Sequence, residues 1–489
     1  MPLPSVTINK VQTNVGSAPA SVAGVLAIIA GSQTGSQNLP ASYSRSDTAL
    51  STFGYGPLVE YGAYVIDTAN QPVVLLRSVQ SQAATYGTIT SNVTGTSVPT
   101  AGATAPLEHY QVVVKIIAGG TIGVTGVTYQ YALDGSTFSG TQALGTLNTL
   151  TIPNSGVSFA LSAGTLIAGD SWSVFTERAL STNADLGASL TALGNTRIAW
   201  EGVLIDGVFD TNTVGVVDTF LAGIEGQGQF KFALHNTRFK NEPEPTAETE
   251  AAYTTAVTTL VTGQTSIRMC VGADGGHLPS PITGLNLKRP TSLALAARAM
   301  SIPIGRDPAY VADGPCPGFR VFDAAGNPLD HDENLFPNLD GLRVTTLRTF
   351  AAGGPDGAYV TNANTIQATG GDFVYLQHIR VMNRACTIAW AQLTKQLSRG
   401  VSKNPKKDPN TGAVTILESD ASAIEALVNG QLQQALKGQV SQSLFSLSRT
   451  DDLSVIPATV HALVSIVAKA YIKGYVVTSE FSKTLQIAA

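Results

Sequence analysis

Charged residues are scarce in this chain of 489 residues: Asp, Glu, Lys and Arg make up 13% of it, about half of the roughly 25% usual in soluble domains. A surface this poor in charge suits a subunit that hides much of itself against copies of itself. The net charge of −5 is mild and speaks against a general nucleic-acid binder, which needs a basic face. Cysteine is equally sparse. Cys270, Cys316 and Cys386 are far apart, odd in number and outside any CxxC or Cys–His spacing, so they read as buried thiols of a reducing compartment rather than a disulfide or metal set. No apolar run reaches the roughly 18 residues of a membrane span. The start MPLPSVTINK also lacks a charged segment followed by an apolar signal core. The expectation is a protein made and kept in a cytoplasm, without membrane insertion.

The signatures of chemistry are missing too. There is no GxSxG elbow, HExxH, GxxxxGK[ST] or GxGxxG. Glu225-Gly226-Gln227-Gly228-Gln229 follows an expected helix instead of opening one, so it reads as a turn and not a phosphate cradle. Asp330-His331-Asp332-Glu333, with Asp323 near, lacks the spacing and glycine of a calcium loop; it reads as a solvated loop. His109, His235, His277, His378 and His461 are scattered singly. No catalytic, cofactor-binding or metal residue is expected, and the chain reads as no enzyme.

What is present is a sequence of contrasting segments, enough for about three domains with ample core. In residues 1–20, Val6 and Ile8 alternate with Thr7 and Asn9 between prolines, which fits either a disordered tail or an arm adding a strand to a neighbour's sheet. Residues 21–80 read as strand–helix–strand: Val22 to Ala30 is apolar on both faces, Ser46 or Asp47 caps a short helix ending before Gly54, and a helix through Tyr61, Tyr64 and Val65 leads to Pro72 and a buried strand. Residues 81–178 change character. Between Ser81 and Phe175 the charged residues are Glu108, Lys115, Asp134 and Asp170, and alternating runs recur at Tyr110 to Ile117, Thr125 to Leu133, Leu147 to Ile152, Val157 to Leu161 and Ser171 to Thr176. With Gly- and Asn-rich turns between them, they predict an inserted all-β, sandwich-like domain hanging outward from a surface loop.

From Thr182 to Phe322 an α/β pattern returns: strands at Ile198 to Ile205, Phe230 to His235 and Ile267 to Val271, helices at Thr213 to Ile224, Glu244 to Val261 and Thr291 to Ala299. This alternation predicts a largely parallel sheet wrapped by helices. The last part reads as α+β. Gln377 to Leu397 is a long amphipathic helix with Ile379, Met382, Ala385, Ala389 and Leu393 on one stripe. A basic loop with Arg399, Lys403, Lys406 and Lys407 follows, and then Ser422 to Glu425 as a capping box within a helical stretch from Glu418 to Lys437. The alternation from Val460 to Phe481 is too long for one ordinary strand, so its end reads as a second arm, Lys473 to Lys483.

Four pieces resemble contractile-tail sheath proteins, the subunits that polymerise around the tube of a phage tail or related injection machine. They are Gly24-Val25-Leu26-Ala27-Ile28-Ile29-Ala30-Gly31; Phe53-Gly54 with the helix Tyr61 to Ile66 and Val73 to Arg77; the Ala-rich helix after Arg289-Pro290 with Ile304-Gly305-Arg306-Asp307-Pro308; and Gly341 to Phe350 with Tyr359 to Asn364. The stretches Thr128 to Gly135 and Ala160 to Asp170 resemble small β-domains grafted into phage structural proteins. The resemblance implies an α/β and α+β multidomain fold. Its parts would be an N-terminal arm (1–20), a discontinuous α/β sheath core (21–80 and 179–325), the β insertion on the outer surface (81–178), an α+β domain on the inner wall (326–472) and a C-terminal arm (473–489). It implies exchanged strands at Val6, Ile8, Val11, Ile472, Val476, Val477 and Phe481, and a tube-facing role for Arg399, Lys403, Lys406 and Lys407, whose plainer reading is a solvated turn. The implied partners are copies of the chain in sixfold helical order, a tail tube protein, and baseplate and tail terminator proteins, in a virion tail assembled in the host cytoplasm. The other readings are a different phage structural protein, such as a baseplate or tube component, or an α/β enzyme with a β-sandwich binding module.

Overall fold

A computed structural model describes residues 24–241, 248–322, 328–329, 332, 335–336, 338–350, 356–367, 370–408, 411–471 and 473. Among them the largest sheet has seven strands in the spatial order Ala41–Tyr43, Val73–Arg77, Leu26–Ala30, Gly202–Ile205, Phe232–Asn236, Met269–Gly272 and Val344–Thr345. The Ala41–Tyr43 edge pairs antiparallel and all other pairings are parallel, with Leu26 opposite both Val73 and Gly202. Runs such as LAIIA, VVLL and GVLI suit this place because every one of those residues is buried, as strands covered on both faces require. The covering helices include Pro57–Ala69, Thr213–Glu225, Glu250–Val261 and Thr291–Ser301. Packing within the sheet is tight: the Phe232 ring lies 2.3 Å from where a Cβ of Gly202 would sit, so only glycine fits there.

Two expected helix starts are corrected. The first helix is Ser46–Phe53 and its cap position is Arg45; neither Ser46 nor Asp47 caps it, and Asp47 instead lies in the first turn, accepting from the Thr48 N–H at 2.7 Å and from the Arg45 guanidinium. The helix expected from Glu244 runs over Glu250–Val261, where Thr249 Oγ1 accepts from the Ala252 N–H at 3.2 Å; residues 242–247 lie outside the described ones. A hydroxyl reaching the third residue of a helix fixes its start more firmly than acidic composition does.

From Thr85 to Glu177 the chain is all β. Gln111–Ala118, Thr128–Ala132 and Ser171–Glu177 are central to a six-stranded antiparallel sheet, and Pro99–Ala101, Thr149–Thr151 and Ser158–Leu161 form a three-stranded one. Val112, Val114, Phe159 and Trp172 share one buried core between them. A third core joins helices Leu376–Thr394 and Glu418–Ala435 to a hairpin of Gln442–Leu447 with Ala462–Val467, through Ala385, Ala389, Val428, Leu432 and Phe445. Arg380 ties it to the large sheet: its Nε and Nη2 donate to Glu201 at 2.7 and 3.2 Å and its Nη1 to the Ala299 carbonyl at 2.6 Å. Gly228, at φ +82°, leaves room for the Trp390 ring of the same helix, so the Gly-Gln-Gly segment is a turn with a packing role. Leu347–Arg348 pairs with Tyr359–Val360 as a short hairpin.

Candidate assembly interface

The hairpin's ladder determines what each edge can offer. Ser448 N–H donates to the His461 carbonyl at 2.8 Å, which continues the hydrogen-bonded pairs Ser446–Leu463 and Leu444–Ser465. In an antiparallel pair the intervening residues direct their backbone groups outward. On one strand these are Phe445 and Leu447, on the other Ala462, Val464 and Ile466.

Helix Glu418–Ala435 closes the first edge. Asn429 Nδ2 donates to the Phe445 carbonyl at 2.8 Å and its Oδ1 accepts from the Phe445 N–H at 2.7 Å. Glu425 Oε1 accepts from the Leu447 N–H at 2.7 Å and also from Arg449 at 2.7 Å. The same Arg449 holds Glu418 at 2.7 and 2.8 Å. Its hydrogen bonds, with one from Ser422, hold the Glu418 carboxyl down at about 2, and Arg449 lowers Glu425 as well. The expected capping box at Ser422 is therefore not formed. The helix begins four residues earlier, where the chain leaves the extended Leu417, and Ser422 donates instead to Glu418 Oε1 at 2.8 Å. Neither role was legible in the sequence, because an Asn and a Glu on a helix give no sign of a strand edge beside them.

The Ala462–Val467 edge is open: among the described residues no strand lies against it. Val464 and Ile466 turn toward the helices, whereas Leu463 and Leu444 face outward, 59% and 57% exposed. Past this strand the chain turns back to the core, where Tyr471 donates to the Gly305 carbonyl at 2.5 Å and Lys473 pairs with Asp307. The arm residues Val6, Ile8, Val11, Ile472, Val476, Val477 and Phe481 lie outside the described residues.

Arg399, Lys403, Lys406 and Lys407 are all exposed. Their loop folds back on itself through a bridge of Lys403 to Ile416, and Leu453, from the hairpin connection, donates to the Val414 carbonyl at 2.8 Å. The structure thus brings the basic loop beside the hairpin connection. Asp332 of the acidic loop is described, whereas Asp323, Asp330, His331 and Glu333 are not; among the described residues no group of three His, Cys, Asp or Glu is placed to hold a metal. No helix among them is long and apolar enough to cross a membrane.

Comparison with solved structures places this architecture. A sheath complex of an extracellular contractile injection system in its contracted state, PVC, superposes with a TM-score of 0.50 at 10% identity, over 99% of this chain and 98% of that one. The anti-feeding prophage baseplate follows at 0.49 and 11%, covering 99% and 100%, and a sheath tail protein from Listeria innocua at 0.44 and 12%, covering 94% and 97%. The fold is that of contractile-sheath subunits. The chain belongs to the DUF2586 family, whose N-terminal domain model matches residues 3–364. No curated protein matches it.

Proposed function

We propose that the chain is the structural subunit of a contractile sheath, polymerising as stacked sixfold rings around a tail tube and contracting to drive that tube through a host envelope. The observation that carries this reading is the Ala462–Val467 edge, open among the described residues, on a hairpin whose other edge is sealed from within by Asn429 and Glu425. An unpaired edge of this kind takes a strand from another chain, and the segments with strand-like alternation around Val6, Ile8 and Val11, and around Ile472, Val476, Val477 and Phe481, are the strands offered. About five added backbone bonds at roughly 0.5–1.5 kcal/mol each give a few kcal/mol per link, and repetition around and between rings makes a mesh stronger than any single contact. Linked in this way, subunits can rotate outward as near-rigid bodies without separating. The tube protein, baseplate and tail terminator are the further partners of this reading, with Lys403, Lys406 and Lys407 facing the tube, and a virion tail built in the host cytoplasm as its location. Electron microscopy of the purified chain in negative stain tests it: ribbed hollow cylinders are expected, and dispersed single particles at high concentration would refute it.

A further inference from the structure

The two crossings between the large sheet's domain and the 85–177 β region form a single ribbon. Gln82 and Leu180 exchange backbone bonds of 3.0 and 3.1 Å, Gln80 Nε2 donates to the Ala179 carbonyl at 2.6 Å, and Thr85–Tyr86 pairs antiparallel with Thr176–Glu177. Beside the ribbon lies a buried charge cluster. Arg178 pairs with Asp206, which follows a core strand, and its Nη2 donates to the Tyr61 hydroxyl at 3.3 Å. Arg289, on the hairpin of Gly275–Pro279 with Asn286–Pro290, stands over the Tyr61 ring and 3.5 Å from Glu60, to which Ser280 Oγ donates at 2.7 Å. Glu60 and Tyr61 belong to helix Pro57–Ala69. The β region contributes Glu108, and both arginines converge on it: Arg289 reaches Oε1 at 2.7 Å and Arg178 reaches Oε2 at 3.5 Å. The hairpin that carries Arg289 also sends Leu287 into the core of the β region.

The joint also holds an open space. A cleft of about 320 Å³ separates Tyr55 on one side from Tyr131 and Phe138 on the other, with Glu60 and Glu108 among its lining. Among the described residues the contacts that hold the two bodies include the ribbon, Leu285 and Leu287, the edge-on packing of His109 against Phe239 at 5.4 Å, the Asn286 N–H donating to Asp134 at 3.5 Å, and the charges on Glu108.

We infer that Glu108 latches the β region to the α/β domain, so that the two move as one rigid lever. Glu108 is the carboxylate that the β region offers to both buried guanidinium groups; without it Arg178 keeps Asp206 and Arg289 keeps Glu60 at 3.5 Å, both partners of the α/β domain, and the charged tie across the joint is gone. Without that latch the ribbon acts as a hinge and the cleft gives it room to swing. The inference concerns a single chain and stands independently of any assembly. Spin labels on Thr125→Cys and Thr255→Cys, both exposed positions on the two bodies, report the distance by pulsed electron resonance, with labelled chain diluted into unlabelled chain so that only intramolecular pairs count. The native cysteines are buried. The unaltered joint should give a narrow distribution and Glu108→Gln one at least twofold broader. Should Glu108→Gln fail to fold, Arg289→Lys, which keeps the charge but shortens its reach, should broaden the distribution to a lesser degree. A distribution already broad with Glu108 in place, or a width unchanged in the folded variant, overturns the latch.

Discussion

Asn429 completes the outer edge of Phe445 as a neighbouring strand would, donating to its carbonyl at 2.8 Å and accepting from its N–H at 2.7 Å. One side chain thereby gives the hairpin a direction: sealed at Gln442–Leu447 and, among the described residues, open at Ala462–Val467. Replacing Asn429 by Ala removes two bonds worth roughly 0.5–1.5 kcal/mol each. Urea denaturation should show a loss of about 1–3 kcal/mol with an unchanged slope, and sedimentation should show additional association through the unsealed edge.

Proline at the open edge is the complementary change. Val464 and Ile466 direct their N–H groups outward, so Val464→Pro or Ile466→Pro removes a donor that the hairpin itself does not use. Circular dichroism should stay near that of the unaltered chain while polymers disappear from sedimentation profiles. Full polymerisation of either variant would move the interface elsewhere.

Arg380 is buried and joins Glu201 to the Ala299 carbonyl. Arg380→Ala leaves the Glu201 carboxylate only the Gly24 N–H, at 2.9 Å, as a hydrogen-bond donor among the described residues, and should cost up to about 3–5 kcal/mol, the range for breaking a buried pair. Arg380→Lys cannot reproduce the forked contact and should fall between. Unfolding midpoints in urea read both.

The pH dependence of the sealed edge follows from Glu418 and Glu425. Arg449 is the largest cause for both, and the Glu418 carboxyl sits at about 2 in the folded chain. A carboxyl lowered by folding stabilises the fold above its ordinary range and loses that contribution as pH falls through the lowered value. The urea midpoint of the C-terminal part should therefore decline from about pH 5 toward pH 2. Glu418→Gln should flatten that decline, and salt should weaken it because Glu418 is exposed.

The basic loop makes a separate claim. Changing Lys403, Lys406 and Lys407 together to Glu should leave self-assembly intact while impairing co-assembly on an acidic tube, and the unaltered interaction should weaken in high salt, since exposed ion pairs contribute at most about 1 kcal/mol each. Normal coating of tubes by the variant at low salt would return the loop to a solvated turn.

Much of the α/β domain was legible because both-face apolar runs such as Leu26–Ala30 and Val73–Arg77 leave few alternatives to a buried parallel strand. Turn residues likewise outlined the strands between Thr85 and Glu177. The part played by Leu287 and Arg289 was not legible, because neither, far along the chain, carries any mark of belonging to that region's core or joint. The sealed edge was hidden for a related reason. Glu425 stood in a pattern that spells a capping box, but Ser422 sits one turn inside the helix, leaving Glu425 to Leu447 and Arg449. Side-chain bonds to a strand edge depend on tertiary placement and leave no local periodicity.

Helical reconstruction by electron cryomicroscopy of polymers grown from the purified chain tests the central claim most directly. The account predicts sixfold rings in which a strand from another copy runs along Ala462–Val467, with the Gln442–Leu447 edge occupied by Asn429 and Glu425. A polymer whose Ala462–Val467 edge is bare, or whose added strand lies along Gln442–Leu447, would contradict it.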